Sequence, residues 1–175
     1  MIIRPAKRDD LRACFTIDNS YVTDYVWQME EHATEGEITI AFREVRLPRT
    51  MRVSLSLDDD YLLENWKKGE CFLVAEEKQE IKGYLDMTVQ PWQRAGWINN
   101  MAVAKRLRRQ GIGSALMQEA IRWAEQRRLR ALMLETQTKN YPAISFYRKH
   151  GFVFCGFNDQ YYTTNDIAVF FTRRL

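Results

Sequence analysis

The sequence is poor in the residues that build disulfide frameworks and metal centres. Three cysteines and two histidines are spread over 175 residues. Cys14, Cys71 and Cys155 lie far apart in no CxxC pair, and His32 and His150 are the two imidazoles. An odd, scattered set of thiols in apolar surroundings argues against a disulfide scaffold or a zinc site and for cysteines used in packing. An excess of charge of one sign is also missing. The 26 basic and 23 acidic residues leave a net +3, too little to make nucleic acid the expected partner without a segregated basic face. Any anion site must then be local. Long hydrophobic runs are absent too, the longest being four or five residues, as in Ile167–Phe171. No spanning helix or secretory core is expected, and the chain reads as cytoplasmic with no membrane partner. No internal repeat or low-complexity tract stands out.

What is present is the composition of one compact domain over residues 1–175, 46% hydrophobic and 28% charged, long enough to bury a core. Met1–Pro5 reads as a short strand, and Asp9-Asp10 then precede Leu11, Cys14, Phe15 and Ile17 at helical spacing. Tyr21–Glu35 reads as helix or loop. Glu37–Leu47 is rich in strand formers and is closed by Pro48. After the polar link Asp58–Asp60, with Asp60 as a cap, a short helix carries Leu62, Leu63 and Trp66 to a stop at Gly69. Cys71–Ala75, Ile81–Gln90 and Trp97–Ala104 then form three strand-like runs, the pattern of an antiparallel meander.

The period changes to 3.6 in Gly113–Arg128, where Ile112, Leu116, Ala120, Trp123 and Ala124 share a face. Ala131–Leu134 reads as a buried strand, Asn140–His150 as a helix, and Gly151–Phe157 and Asp166–Thr172 as final strands. Alternation of strand and helix over 97–157 predicts an α+β or mixed α/β domain.

The most informative segment is Met101–Leu116, where an apolar strand runs into Arg106, Arg108 and Arg109, then Gly111 and Gly113, then an amphipathic helix. Glycines there let backbone approach a ligand, and the first-turn N–H groups with the helix dipole favour a pyrophosphate. Position 116 is Leu, which excludes a dinucleotide fingerprint, and no GxxxxGK[ST] occurs. The competing reading is a plain strand-to-helix turn with solvated arginines.

A second segment, Asn140-Tyr-Pro-Ala-Ile-Ser-Phe-Tyr-Arg-Lys-His-Gly-Phe152, has a capping Asn, an inward Ala143, Phe146 and Tyr147, and a glycine stop. With Arg108-Arg-Gln-Gly-Ile-Gly113 it resembles the GCN5-related N-acetyltransferase family, matching Q/R-x-x-G-x-G/A and N-x-x-A-x-x-x-Y-x-x-x-G-F. Ile3–Leu11 is similar to that family's first strand and helix. Within the family, Leu134-Glu-Thr-Gln137, Asn140, Tyr147 and Trp92 look most like streptothricin acetyltransferases.

The resemblance implies a mostly antiparallel sheet, splayed open for coenzyme A, with helices on both faces. It implies acetyl-CoA as co-substrate, no metal, and acetylation of a primary amine on a small cationic acceptor of the streptothricin type. A protein lysine, an α-amino group or a polyamine is the second acceptor class. A CoA-binding module without catalysis is the reading of another class. Relatives are often homodimers. Met101, Ala102 and Val103 would pair with pantetheine, and Arg108, Arg109, Gln110, Gly111, Ile112, Gly113 and Ser114 would hold the pyrophosphate. Unpaired N–H groups of a splayed sheet would also polarise the thioester oxygen.

Asn140 would contact pantetheine or simply start its helix. Tyr147 would be the general acid, its phenol matched to a departing thiolate, with core packing against Phe146 and Phe152 as the alternative. Arg148 and Lys149 would face the 3′-phosphate or remain solvated. Relatives often carry an acid on the strand before Met101, where this chain has Asn99-Asn100. The proton acceptor is therefore open among Glu135, Asp159, Asp86 and relaying waters. Acids at Glu30, Glu31 and Asp58–Asp60 would attract a polycation, or form a solvated acidic surface.

Overall fold

The computed structural model describes residues 1–54 and 59–175, with the side chain of Asp59 outside the description. Asp58 of the polar link therefore lies outside the described residues. The chain divides into two compact units. The first comprises Met1–Asn19, the described part of Leu55–Leu134, and Phe171–Leu175; the second comprises Ser20–Ser54 and Glu135–Phe170.

In the first unit, β1 (Ile2–Pro5), β4 (Cys71–Glu77), β5 (Glu80–Gln90) and β6 (Ala95–Val103) pair antiparallel in that order, and β7 (Ala131–Gln137) adds in parallel. The end of β9 (Ala168–Arg174) follows, tied to this unit by the Thr172 hydroxyl on the Leu132 carbonyl. Strand alternation sends Phe72, Val74, Tyr84 and Ala102 to one face. There they pack with Leu11, Cys14 and Ile17 around α1 (Leu11–Phe15) and with Leu62 of α2 (Asp59–Lys67). The opposite alternation supplies Leu73, Leu85 and Met87, and α3 (Ile112–Gln126) packs on β4, β5 and β6. Helices thus cover both faces of a mostly antiparallel sheet, as expected.

The α3 face that is buried holds Ile112, Leu116, Met117, Ala120, Ile121 and Ala124. Trp123 is half-buried instead, with the Arg127 guanidinium 3.7 Å from its ring centroid. Asp60 lies inside the first turn of α2 and does not precede it.

In the second unit, β2 (Tyr21–Thr34) and β3 (Glu37–Val53) form a separate two-stranded sheet. This corrects the helix-or-loop reading of Tyr21–Glu35. The segment is rich in aromatic and β-branched residues, and Glu35-Gly36 makes a two-residue turn in which Gly36 takes φ 85°. Pro48 does not end β3. Tyr25 pairs with Arg46 and Thr23 with Met51, so Leu47–Thr50 bulge opposite one residue, and a proline is tolerated where no ladder amide is needed.

Trp27, Phe42, Phe154 and Phe157 form an aromatic cluster with ring centroids 5.3–6.1 Å apart. α4 (Tyr141–Lys149) packs on β2 through Tyr25 and Tyr141. β8 (Val153–Asn158) lies beside β9 at the end of the strand order. Cys155 is consequently exposed rather than packed, unlike Cys14 and Cys71, whose thiols burial raises to about 12.

Candidate active site

The first unit carries the glycine turn. β6 pairs with β5 along its length, from Gln90↔Ala95 to Gly83↔Val103. Asp86 faces Asn100 and Met87 faces Ile98, so Asn99 is an extra residue, a β-bulge. On its other edge β6 pairs with β7 over Ala95–Trp97 only. From Ile98 to Val103 that edge therefore has no ladder among the described residues, and its backbone groups can take an extended ligand. Ala102 is buried, and Met101 and Val103 are half-buried.

Beyond Val103 a 3-10 turn, Lys105–Leu107, leads to Arg109 at φ 67° and Gly111 at φ 88°. Two left-handed residues so close together reverse the chain into α3. Gly111 is the N-cap and offers no side chain to it, so the first-turn amides and the positive end of the dipole face the turn. Nothing lies within 4 Å of where a Gly111 Cβ would stand. An uncapped helix start, an open space above it and an unpaired strand edge leading to it suit a pyrophosphate with an extended arm. Arg108 is spent differently. Its Nε donates to the Val103 carbonyl at 3.0 Å and its Nη2 to the Asp18 carbonyl, and partial burial lowers its pKa. It braces the turn, whereas Arg109 and Gln110 are exposed.

Below β6 lies a polar group that the spacing of the sequence does not announce. Asp86, 1% exposed, accepts Asn65 Nδ2 at 2.8 Å and Asn99 Nδ2 at 3.1 Å, both on Oδ2. Asn100 stands opposite Asp86 in the ladder, and its side chain also favours the ionised carboxylate. Burial pushes the Asp86 carboxyl up to about 6, against the pull of the neighbouring asparagines.

The second unit carries the other candidates. Tyr147 sits in α4 with its ring 5.6 Å from Phe146 and 5.9 Å from Phe152. Burial, and then the charge of Glu135, raise its pKa, so the phenol keeps its proton. Tyr162 was not among the expected residues. Its pKa is raised by burial and then by Glu135, with smaller effects from Tyr161, Tyr147 and Asp166. Glu135, Tyr147 and Tyr162 therefore share one electrostatic neighbourhood, and a loop with no periodicity gave no signal for the last.

Asn140 acts as the helix cap, its Oδ1 accepting the Ala143 N–H at 3.3 Å. Arg148 lies over the Trp27 ring at 5.9 Å, and Lys149 is exposed. Asp159 is exposed in the turn after β8. Glu30 is paired with Arg43 at 3.0 Å. No cluster of His, Cys, Asp or Glu able to hold a metal occurs among the described residues, and no helix there is long and apolar enough to cross a membrane.

Residues 39–152 match the model of the acetyltransferase (GNAT) family. The chain is 41% identical over 83 residues to streptothricin acetyltransferase A of Bacillus subtilis, covering 45% of this chain and 48% of that protein. It is 29% identical over 164 residues to the streptothricin acetyltransferase of Streptomyces lavendulae, covering 91% of this chain and 85% of that protein. Among solved structures, a nourseothricin acetyltransferase superposes with a TM-score of 0.82 at 26% identity, covering 99% of this chain and 97% of that one.

Proposed function

The chain belongs to the acetyltransferase (GNAT) family, and from that premise we propose that it moves the acetyl group of acetyl-CoA onto a primary amine of a small cationic acceptor of the streptothricin type. The observation that carries the co-substrate is the unpaired edge of β6, running through Met101–Val103 into the left-handed turn at Arg109 and Gly111. Similarity to a streptothricin acetyltransferase over nearly the whole chain supports the acceptor class. A single catalytic domain over residues 1–175 is part of this proposal.

Bound acetyl-CoA supplies an activated thioester. In this reading the amides of Met101–Val103 hold its pantetheine, and those of Ile112–Ser114, with Arg109 and Gln110 beside them, hold its pyrophosphate. Arg108 fixes the turn through the Val103 and Asp18 carbonyls and keeps the amides aimed. Tyr147 holds a proton on its phenol oxygen and releases it to the departing sulfur. An attacking amine must be neutral. Glu135, in the neighbourhood of Tyr147, is the favoured proton acceptor for it, and Asp159 the second, reached from solvent. Asn140 acts by starting α4, and exposed Lys149 is left for the 3′-phosphate.

Thiol release from acetyl-CoA tests this, with a streptothricin, spermidine, an aminoglycoside and a lysine peptide offered in parallel at slightly alkaline pH. Rapid release with the streptothricin alone is expected. Release only with another amine would retain the chemistry and overturn the acceptor; CoA binding with no release would favour a non-catalytic module.

A further inference from the structure

We propose that Asp86 is a positioning residue, pinning the Asn99 bulge of β6 and thereby setting which backbone groups of Met101–Val103 face the co-substrate. The inference rests on the co-substrate reading above. A strand's side chains and amides alternate with period two, so adding or losing one residue reverses every group that follows. Asn99 is that extra residue, two positions before Met101. Its side chain donates to Asp86 Oδ2, and the same oxygen takes Asn65 from α2, so the bulge is tied through one carboxylate to a packed helix. The register is also held downstream. Gly83 faces Val103, and a Cβ there would stand 2.7 Å from the Ala102 carbonyl, so β5 and β6 are closed where the candidate pantetheine edge ends.

A carboxylate suits the task because an ionised oxygen accepts two N–H groups strongly. Its burial is costly, and three asparagines, Asn65, Asn99 and Asn100, are gathered against it. At 1% exposure and packed beneath Asn65 and Asn99, Asp86 acts through the bulge and does not touch substrate.

Three variants, Asp86→Ala, Asp86→Asn and Asn99→Ala, test this by calorimetric titration with CoA and by steady-state kinetics. Asp86→Ala and Asn99→Ala should weaken CoA binding and raise the KM for acetyl-CoA about tenfold or more, with kcat falling alongside as the amides are misaimed. Asp86→Asn keeps an acceptor oxygen in place and should recover most of the affinity. If Asp86→Ala does not fold, Asn99→Ala carries the test, since Asn99 is half-buried and Asp86 keeps its hydrogen bond from Asn65. Variants that bind CoA as the parent does would overturn the inference while leaving the co-substrate reading intact. Asp86→Asn losing turnover as fully as Asp86→Ala, with affinity unchanged, would make Asp86 a proton acceptor and also overturn it. A parent protein that does not bind CoA would overturn the co-substrate reading, and this inference with it.

Discussion

A phenol serves as an acid toward a thiolate only if it still carries its proton when the thiolate leaves, and Tyr147 is held protonated by burial and by Glu135. Tyr147→Phe keeps the ring and its contacts with Phe146 and Phe152, so turnover should fall about a hundredfold or more while CoA affinity is retained. Unchanged turnover would remove the acid role. Asp86 makes a separate claim in pH. Its carboxyl is raised to about 6 from an ordinary 3.8, so the folded state binds the proton more tightly than the unfolded one. Its contribution to stability is full below about pH 4 and is lost as pH rises through about 6. The other groups facing it are Cys14 of α1, Cys71 of β4, Tyr84 of β5 and Lys68 after α2. Burial raises the two thiols and the phenol, leaving Asp86 as the group among them that changes charge in this window. Asp86→Asn escapes the loss. Its Tm relative to the parent should rise between about pH 4 and 6 and level off above, and a flat difference across that window would contradict the buried-charge assignment.

The strand-to-helix turn is the element in which local conformation and ligand binding meet. Gly111 occupies φ 88° with nothing within 4 Å of a built Cβ, so the cost of a side chain there is conformational and not steric. Gly111→Ala should lower stability by about 1–2 kcal/mol in denaturant titrations and also weaken CoA binding, because the first-turn amides of α3 would turn away. Loss of stability with CoA affinity intact would separate the cap from the cradle. The motif around this turn and the α4 segment were legible in the sequence because glycines, caps and helical periodicity are local signals. The β2 strand was not. Its aromatic and β-branched content becomes decisive only when β3 lies beside it, and the bulge at Leu47–Thr50 lets Pro48 sit inside a strand it seemed to end.

For the molecule as a whole, a ligand that binds only the folded chain must stabilise it. CoA at about a hundred times its dissociation constant should add about 2.7 kcal/mol, which for a chain of this size is about 5–11 °C in Tm. A thermal-shift titration without saturation would count against a specific cradle. By itself the sequence determined the class of fold, the RxxGxG turn before α3 and the capped helix that carries Tyr147, since each depends on residues a few positions apart. Only the tertiary structure decided that Arg108 is spent on backbone carbonyls, that Tyr162 shares the neighbourhood of Glu135, and that Asn65, Asp86 and Asn99 meet. Those three come from α2, β5 and β6. Their meeting depends on strand register and helix packing across long stretches of chain, for which no local spacing carries a signal.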